Sequence, residues 1–218
     1  MRVFLAGTTS AIGRRLVPLL LRDGHEVTGT TRSPEKAGEL ERAGVTPAVV
    51  DVFDAQALTD ALHAARPEVV LHQLTDLPHE NDPTQVAAAS ARNARIRSEG
   101  TRNLIAAAQA AGARRLIVQS IAFVYARRCE PHAEADPLDL ADPARAVTVK
   151  GVTDMERPSL GSPGIEGVVL RYGLLYGPGT WYQAAGRKPA LHVDAAALAA
   201  LLAITRGSMG IYNIADDD

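Results

Sequence analysis

The stretch FLAGTTSAIGRRLV, residues 4–17, runs from an apolar segment through small residues into leucine and valine at helical spacing. Gly7 and Gly13 bracket its turn, and Ser10 stands where a G-x-x-G-x-x-G pattern has its middle glycine. Gly7 after a strand permits a tight turn. Gly13 at a helix start lets the helix pack close to the strand while its unpaired N–H groups face a pyrophosphate. Ser10 is small enough for the middle position, although it crowds the backbone approach more than glycine would. A strand, turn and helix that hold no ligand share this outline. The second strand ends in GTTRSPEK, where Thr30 and Thr31 bring no carboxylate to repel a phosphate. Arg32 supplies a planar fork that grips a 2′-phosphate or stacks on adenine, so the expected cofactor is NADP, with NAD less favoured. The alternative for Arg32 is an ordinary surface arginine before a helix capped by Ser33. In VVDVFD, Asp51 is placed to accept from an adenine amino group or to cap a loop, and Asp54 reads as a helix cap.

Positioning these groups requires strands that end together. The runs RVFLAG, EVTGTT, TPAVV, EVVLHQL, RRLIVQSI and GVVLRYG are apolar enough for burial on both faces, and they alternate with helically spaced segments. Such alternation implies an α/β fold: a Rossmann-type doubly wound parallel sheet in three α/β/α layers. Helices are expected at IGRRLVPLLLRDG, PEKAGELERAG, AQALTDALHAAR and, as one long piece, TQVAAASARNARIRSEGTRNLIAAAQAAG. CEPHAEADPLDLADPAR has no periodicity and reads as an exposed loop at the carboxyl end of the sheet. The 218 residues suit a single domain. A net charge of −2 and the lack of basic runs interleaved with aromatics argue against nucleic acid as a partner. LVPLLL and AAALAALLAI are too short to span a membrane, Cys129 has no partner for a disulfide, and Met1 leads directly into RVFLAG. A cytoplasmic protein is expected.

Taken together, GTTSAIG, VVDVFD, EVVLHQL, EGTRNLIAAAQAAGARRLIVQS, GVVLRYGLLYGPG and HVDAAALAALL…GIYNIAD resemble, in order, the extended short-chain dehydrogenase/reductase family, the NAD-dependent epimerase/dehydratase group. The resemblance implies an oxidoreductase or epimerase acting on a small carbonyl or sugar-nucleotide-like substrate. It places the adenine end of the cofactor against Gly7, Thr9, Ser10, Ala11, Ile12, Gly13, Arg32, Asp51 and Val52. The nicotinamide end falls near Leu74, Thr75, Lys150 and Tyr172.

The chain departs from the family where chemistry is done. Members that transfer hydride carry Y-x-x-x-K, but AVTVK keeps Lys150 and puts Ala146 at the tyrosine position. Ile121 holds the usual hydroxyl position, beside Ser120, and Arg97 replaces a common asparagine. The catalytic candidates are therefore Lys150, Ser120, Tyr125 and Tyr172. His72, His79 and His132 share no metal-ligand spacing, so no metal is expected. Against the family's pattern most of a C-terminal substrate lobe is absent from this sequence, either because segments of a longer protein are not in it or because the protein has little with which to enclose a substrate; residues 177–192 and 215–218 read as remnants of that lobe, and Trp181, Tyr182 and the loop from Pro131 to Asp142 are what remains to line a pocket. The missing tyrosine also suits a second reading, a redox sensor or scaffold that binds NADP without turning it over. The alanines from Ala87 to Ala91 and Ala106 to Ala111 would allow a homodimer, or simply pack on the sheet.

Overall fold

A computed structural model describes residues 1–78, 81–127 and 131–216. The strands are β1 (Arg2–Ala6), β2 (Glu26–Thr31), β3 (Thr46–Val49), β4 (Val69–His72), β5 (Arg115–Ile121), β6 (Glu166–Tyr172), β7 (Leu174–Tyr176), β8 (Ala190–His192) and β9 (Gly210–Ile214). Between them run α1 (Ala11–Arg22), α2 (Pro34–Arg42), α3 (Ala55–Ala65), α4 (Pro83–Arg95), α5 (Thr101–Ala110), α6 (Ala146–Gly161) and α7 (Val193–Leu202). Seven strands form one parallel sheet in the order β3-β2-β1-β4-β5-β6-β9. Chain order reverses between β1 and β4, and at such a switch point the loops separate to leave a crevice.

Side-chain alternation builds the layers. Val3 and Leu5 of β1 join α1 and α7 in one buried cluster, whereas Phe4 and Ala6 join α3, α5 and α6 in the other. Each such fully buried large side chain contributes about 1.5–3 kcal/mol. Gly24, Gly44 and Gly112 end α1, α2 and α5 at positive φ, the left-handed stop that their positions in the sequence imply.

Two features differ from the sequence expectation. The long fourth helix is interrupted by a π-turn over Ile96–Gly100. Ser98 Oγ donates to the Ala94 carbonyl and Thr101 Oγ1 to the Ile96 carbonyl, side-chain bonds that compete with regular pitch. Beyond Tyr172 the chain forms a small two-stranded parallel sheet of β7 and β8, and β9 adds a strand to the main sheet beside β6. Residues 177–192 therefore hold a loop and β8, with Asp216 accepting from the His192 amide and donating its own to the Ala190 carbonyl. Cys129, His79 and the last two residues of 215–218 lie outside the described residues, as does the Ala87 side chain.

Candidate active site

At the carboxyl ends of β1, β4, β5 and β6 opens a cavity of about 1050 Å³, of a size that accommodates a large ligand. One end of it is formed by the turn from β1 into α1. Gly7 has φ +99°, and a Cβ there would sit 2.3 Å from the Gln73 carbonyl oxygen. A Cβ on Gly13 would lie 2.2 Å from the Gly7 carbonyl oxygen, so both glycines are dictated by backbone packing. Ser10 turns out to cap α1, its Oγ accepting from the Gly13 amide at 2.9 Å. That bond leaves the Ala11 and Ile12 amides without protein partners at the positive end of the helix. The cradle fits a diphosphate.

Thr9, Ser10, Ala11 and Ile12 line the cavity, with Gly13 packed beneath them. Arg32 is exposed on the rim, with no partner among the described residues. Thr31 Oγ1 accepts from the Ser33 amide, and no carboxylate stands at the β2 tip. Asp51 Oδ1 caps its own turn, accepting from the Phe53 amide, while Val52 and Phe53 form an apolar slot. The Arg95 guanidinium lies 3.9 Å from the Phe53 ring centre. Asp54 caps α3 through the Ala57 amide.

The catalytic candidates are scattered. Leu74, Thr75, Ser120 and Tyr172 border the inner cavity, but Lys150 and Tyr125 do not. Lys150 sits on the outer side of α6, its side chain 73% exposed and paired with Asp154 at 2.5 Å. This corrects its expected place beside the nicotinamide ribose: helical pitch turns Thr148, not Lys150, into the crevice, and Val152 one turn on is fully buried. Tyr125 is buried away from the cavity, its hydroxyl donating to Asn213 Oδ1 and accepting from Arg171 Nη1. The Ser120 hydroxyl donates to Glu156 at 2.6 Å. Tyr172 alone keeps an uncommitted phenol, and burial pushes it well above the ordinary tyrosine range, against the opposing effect of the neighbouring Gln73 amide. It holds its proton.

Glu156, on the inner face of α6, receives both Arg171 Nε (2.9 Å) and Arg171 Nη2 (2.6 Å). Arg171 Nη1 continues to Tyr125 and to the Glu134 carbonyl, and Asn213 reaches the His132 carbonyl and the Glu134 side chain. The ring of Tyr125 stacks on His132 at 4.7 Å. A buried ion pair thus ties α6, β6, β9 and the loop after β5 together, and the loop expected to be merely exposed is anchored at His132, Glu134 and the buried Asp139.

Arg97 enters the cavity from the π-turn; burial pulls its value down to about 10, opposed by the charge of Glu156. Below it, His72 is fully buried, with Nδ1 accepting from the Leu74 amide and Nε2 3.0 Å from Thr101 Oγ1. Burial first, then the Arg97 charge, push the imidazole down from 6.5 to about 4. The unfolded chain therefore takes up a proton that the folded one refuses. His72 adds nothing above pH 6.5, and stability falls as pH drops from 6.5 toward 4. Between pH 7 and pH 5 the wild type is expected to lose about 2 kcal/mol more than His72→Gln, read from urea melts at both pH values. Equal losses would refute it.

A family model described as NAD(P)H-binding matches residues 7–150. The chain belongs to this NAD(P)H-binding family. It is similar to the 3-diazoavenalumate denitrifying reductase of a Streptomyces species, with 42% identity over 241 aligned residues covering 100% of this chain and 77% of that one. Among solved structures, a Thermus thermophilus UDP-glucose 4-epimerase in complex with NAD superposes at TM-score 0.77 and 23% identity, covering 99% of this chain and 78% of its own. The Thermotoga maritima UDP-glucose 4-epimerase with UDP-glucose reaches TM-score 0.79 at 20% identity, covering 99% and 77%. The fold of this NAD(P)H-binding chain is that of these epimerase structures, and the family model together with the reductase relative makes it an NAD(P)-dependent oxidoreductase-like protein. Among the described residues no cluster of three His, Cys, Asp or Glu side chains is placed to hold a metal, and no helix is long and apolar enough to cross a membrane.

Proposed function

We propose that the crevice binds NADP(H) and that the protein is a reductase which removes a diazo group from carbon as dinitrogen. The observation that carries this is the inner wall, where Thr148 faces the crevice and no lysine borders it among the described residues. Reduction of a carbonyl needs a proton delivered with the hydride, a task for an activated phenol or its equivalent. Thr148 has an ordinary hydroxyl, Ser120 is committed to Glu156, and Tyr172 retains its proton. When bound, the reduced cofactor supplies a hydride. A carbon-bound diazonium that accepts a hydride forms a C–H bond as its C–N bond breaks; the C–N electron pair leaves with neutral N2, the hydride's charge cancels that of the diazonium, and no proton is taken up. The Streptomyces relative is named for a diazo substrate and for denitrifying reduction, which supports the same class. The chain's own part is to hold the two reactants against each other and keep water out.

The test is 4-carboxybenzenediazonium with NADPH, following absorbance and N2 release against a protein-free control, beside aldehydes, ketones and UDP-glucose. Turnover confined to the diazonium is expected. Reduction of the carbonyls, epimerisation of the sugar nucleotide, or NADPH binding with no turnover at all would each overturn the reading, the last in favour of a sensor. Thr148→Val is expected to cost less than about tenfold in rate, whereas loss of a true general acid costs roughly 10²–10⁴-fold.

The preference for NADP over NAD rests on Arg32 and the absence of a carboxylate at the β2 tip. Arg32→Ala is expected to weaken NADPH by about 10- to 100-fold, a lost charge-assisted hydrogen bond, and to leave NADH nearly unchanged in a fluorescence titration. A two-fold dimer through α4 and α5, where Ala88, Ala91 and Ala106 are exposed, completes the proposal, and sedimentation equilibrium tests it.

A further inference from the structure

Arg97 has no hydrogen-bond or ion-pair partner among the described residues, although it borders the cavity and is partly withdrawn from water. The carboxylate that influences it, Glu156, is already held by Arg171 and Ser120. One turn earlier, Asn93 commits its amide to the Asp76 backbone and the Ala89 carbonyl. A cation removed from water without a counter-charge is costly, so the site calls for an anion that arrives with a ligand.

The cofactor's phosphates have receptors of their own, in the free amides of Ala11 and Ile12 and in Arg32. Elsewhere the cavity mouth mixes polar and apolar side chains. Leu77, Phe123 and Tyr182 are large side chains left exposed there. Trp181 is held in place by Nε1 donating to the Pro78 carbonyl at 2.8 Å, and the Tyr182 hydroxyl accepts from Asn81 at 3.0 Å. Rigid aromatic surfaces left partly uncovered suit a planar ring, and a guanidinium fork matches a carboxylate.

We infer that the substrate is an aromatic carboxylate, its ring against Trp181 and Leu77 and its carboxylate received by Arg97. The inference rests on the reading that the α1 cradle holds NADP(H). Trp181 is the single tryptophan of the chain, so its fluorescence reports the mouth of the crevice directly.

With NADPH-saturated protein, cinnamate is expected to quench Trp181 and cinnamamide to bind at least tenfold more weakly. Arg97→Gln is expected to weaken cinnamate by about 10- to 100-fold, with Arg97→Lys recovering part of the loss, while cinnamamide and NADPH affinities stay within about threefold of wild type. Thermal melts monitored by circular dichroism establish that both variants are folded; should Arg97→Gln not fold, the cinnamate-to-cinnamamide ratio in Arg97→Lys decides. Equal binding of acid and amide, or a fall in NADPH affinity matching the fall for cinnamate, would overturn the inference, the latter because the anion would then be the cofactor's. Failure of wild type to bind NADPH would instead strike the underlying cofactor reading, and the acid–amide comparison on the free protein would still judge Arg97.

Discussion

Arg171→Met should lower the unfolding free energy by about 3–5 kcal/mol, the usual cost of leaving one partner of a buried ion pair behind. Arg171 and Glu156 are only 3% and 4% exposed, and removing the guanidinium leaves the Glu156 charge with the Ser120 hydroxyl as its remaining partner and takes a donor from the Tyr125 hydroxyl and the Glu134 carbonyl. Burial alone would lower the Arg171 value, yet the hydrogen bonds and charge of Glu156 reverse this and hold it raised. The double variant Glu156→Met/Arg171→Met is expected to be more stable than Arg171→Met, since two apolar side chains strand no charge. Urea denaturation of the three proteins checks both statements. A loss below about 1 kcal/mol for the single variant would show that the pair is hydrated rather than buried.

The second large effect is expected at Gly13→Val. Its Cβ would press on two carbonyl oxygens, of Gly7 at 2.2 Å and of Thr8 at 2.7 Å, and backbone cannot swing aside as a side chain does. Overpacking of this kind costs on the order of 1–3 kcal/mol or more, and the displaced turn would move the Ala11 and Ile12 amides off the diphosphate. NADPH binding is expected to fall by at least 100-fold in calorimetry even where the protein remains folded. Retained affinity would place the cofactor's phosphates elsewhere.

Much of the architecture was legible in the chain because two periodicities carry it. β1 alternates between two buried clusters, and glycines stop α1, α2 and α5 where the left-handed position falls. The tight turn from β1 into α1 is legible too, since Gly7 and Gly13 answer to local backbone crowding. Ser10 was read as a small spacer, but its hydroxyl does a second task in capping α1. The inner wall was not legible in the same way. Lys150 holds the lysine place of the family's Y-x-x-x-K pattern, yet a helix shows only one face to the crevice, and the stripe Thr148, Val152, Glu156 at four-residue spacing marks the inward face of α6. Lys150 falls two residues out of phase with that stripe. The partners of Ser120 and Tyr125 come from α6, β6 and β9, and no local pattern announces contacts that distant. Likewise the π-turn depends on Thr101 reaching both Ile96 and His72, a geometry that exists only once the sheet is assembled.

That widened turn has a consequence for how the pocket could be retuned. Closing the segment Ile96–Gly100 to ordinary α pitch with its length unchanged would swivel everything upstream by about 100°. Val86, Ser90 and Asn93, which now look into the cavity, would swing off it together. Substitutions that make or unmake this turn, at Ser98 and Thr101 above all, should therefore reset ligand preference more sharply than exchanges of the lining side chains, and libraries for altered selectivity belong there.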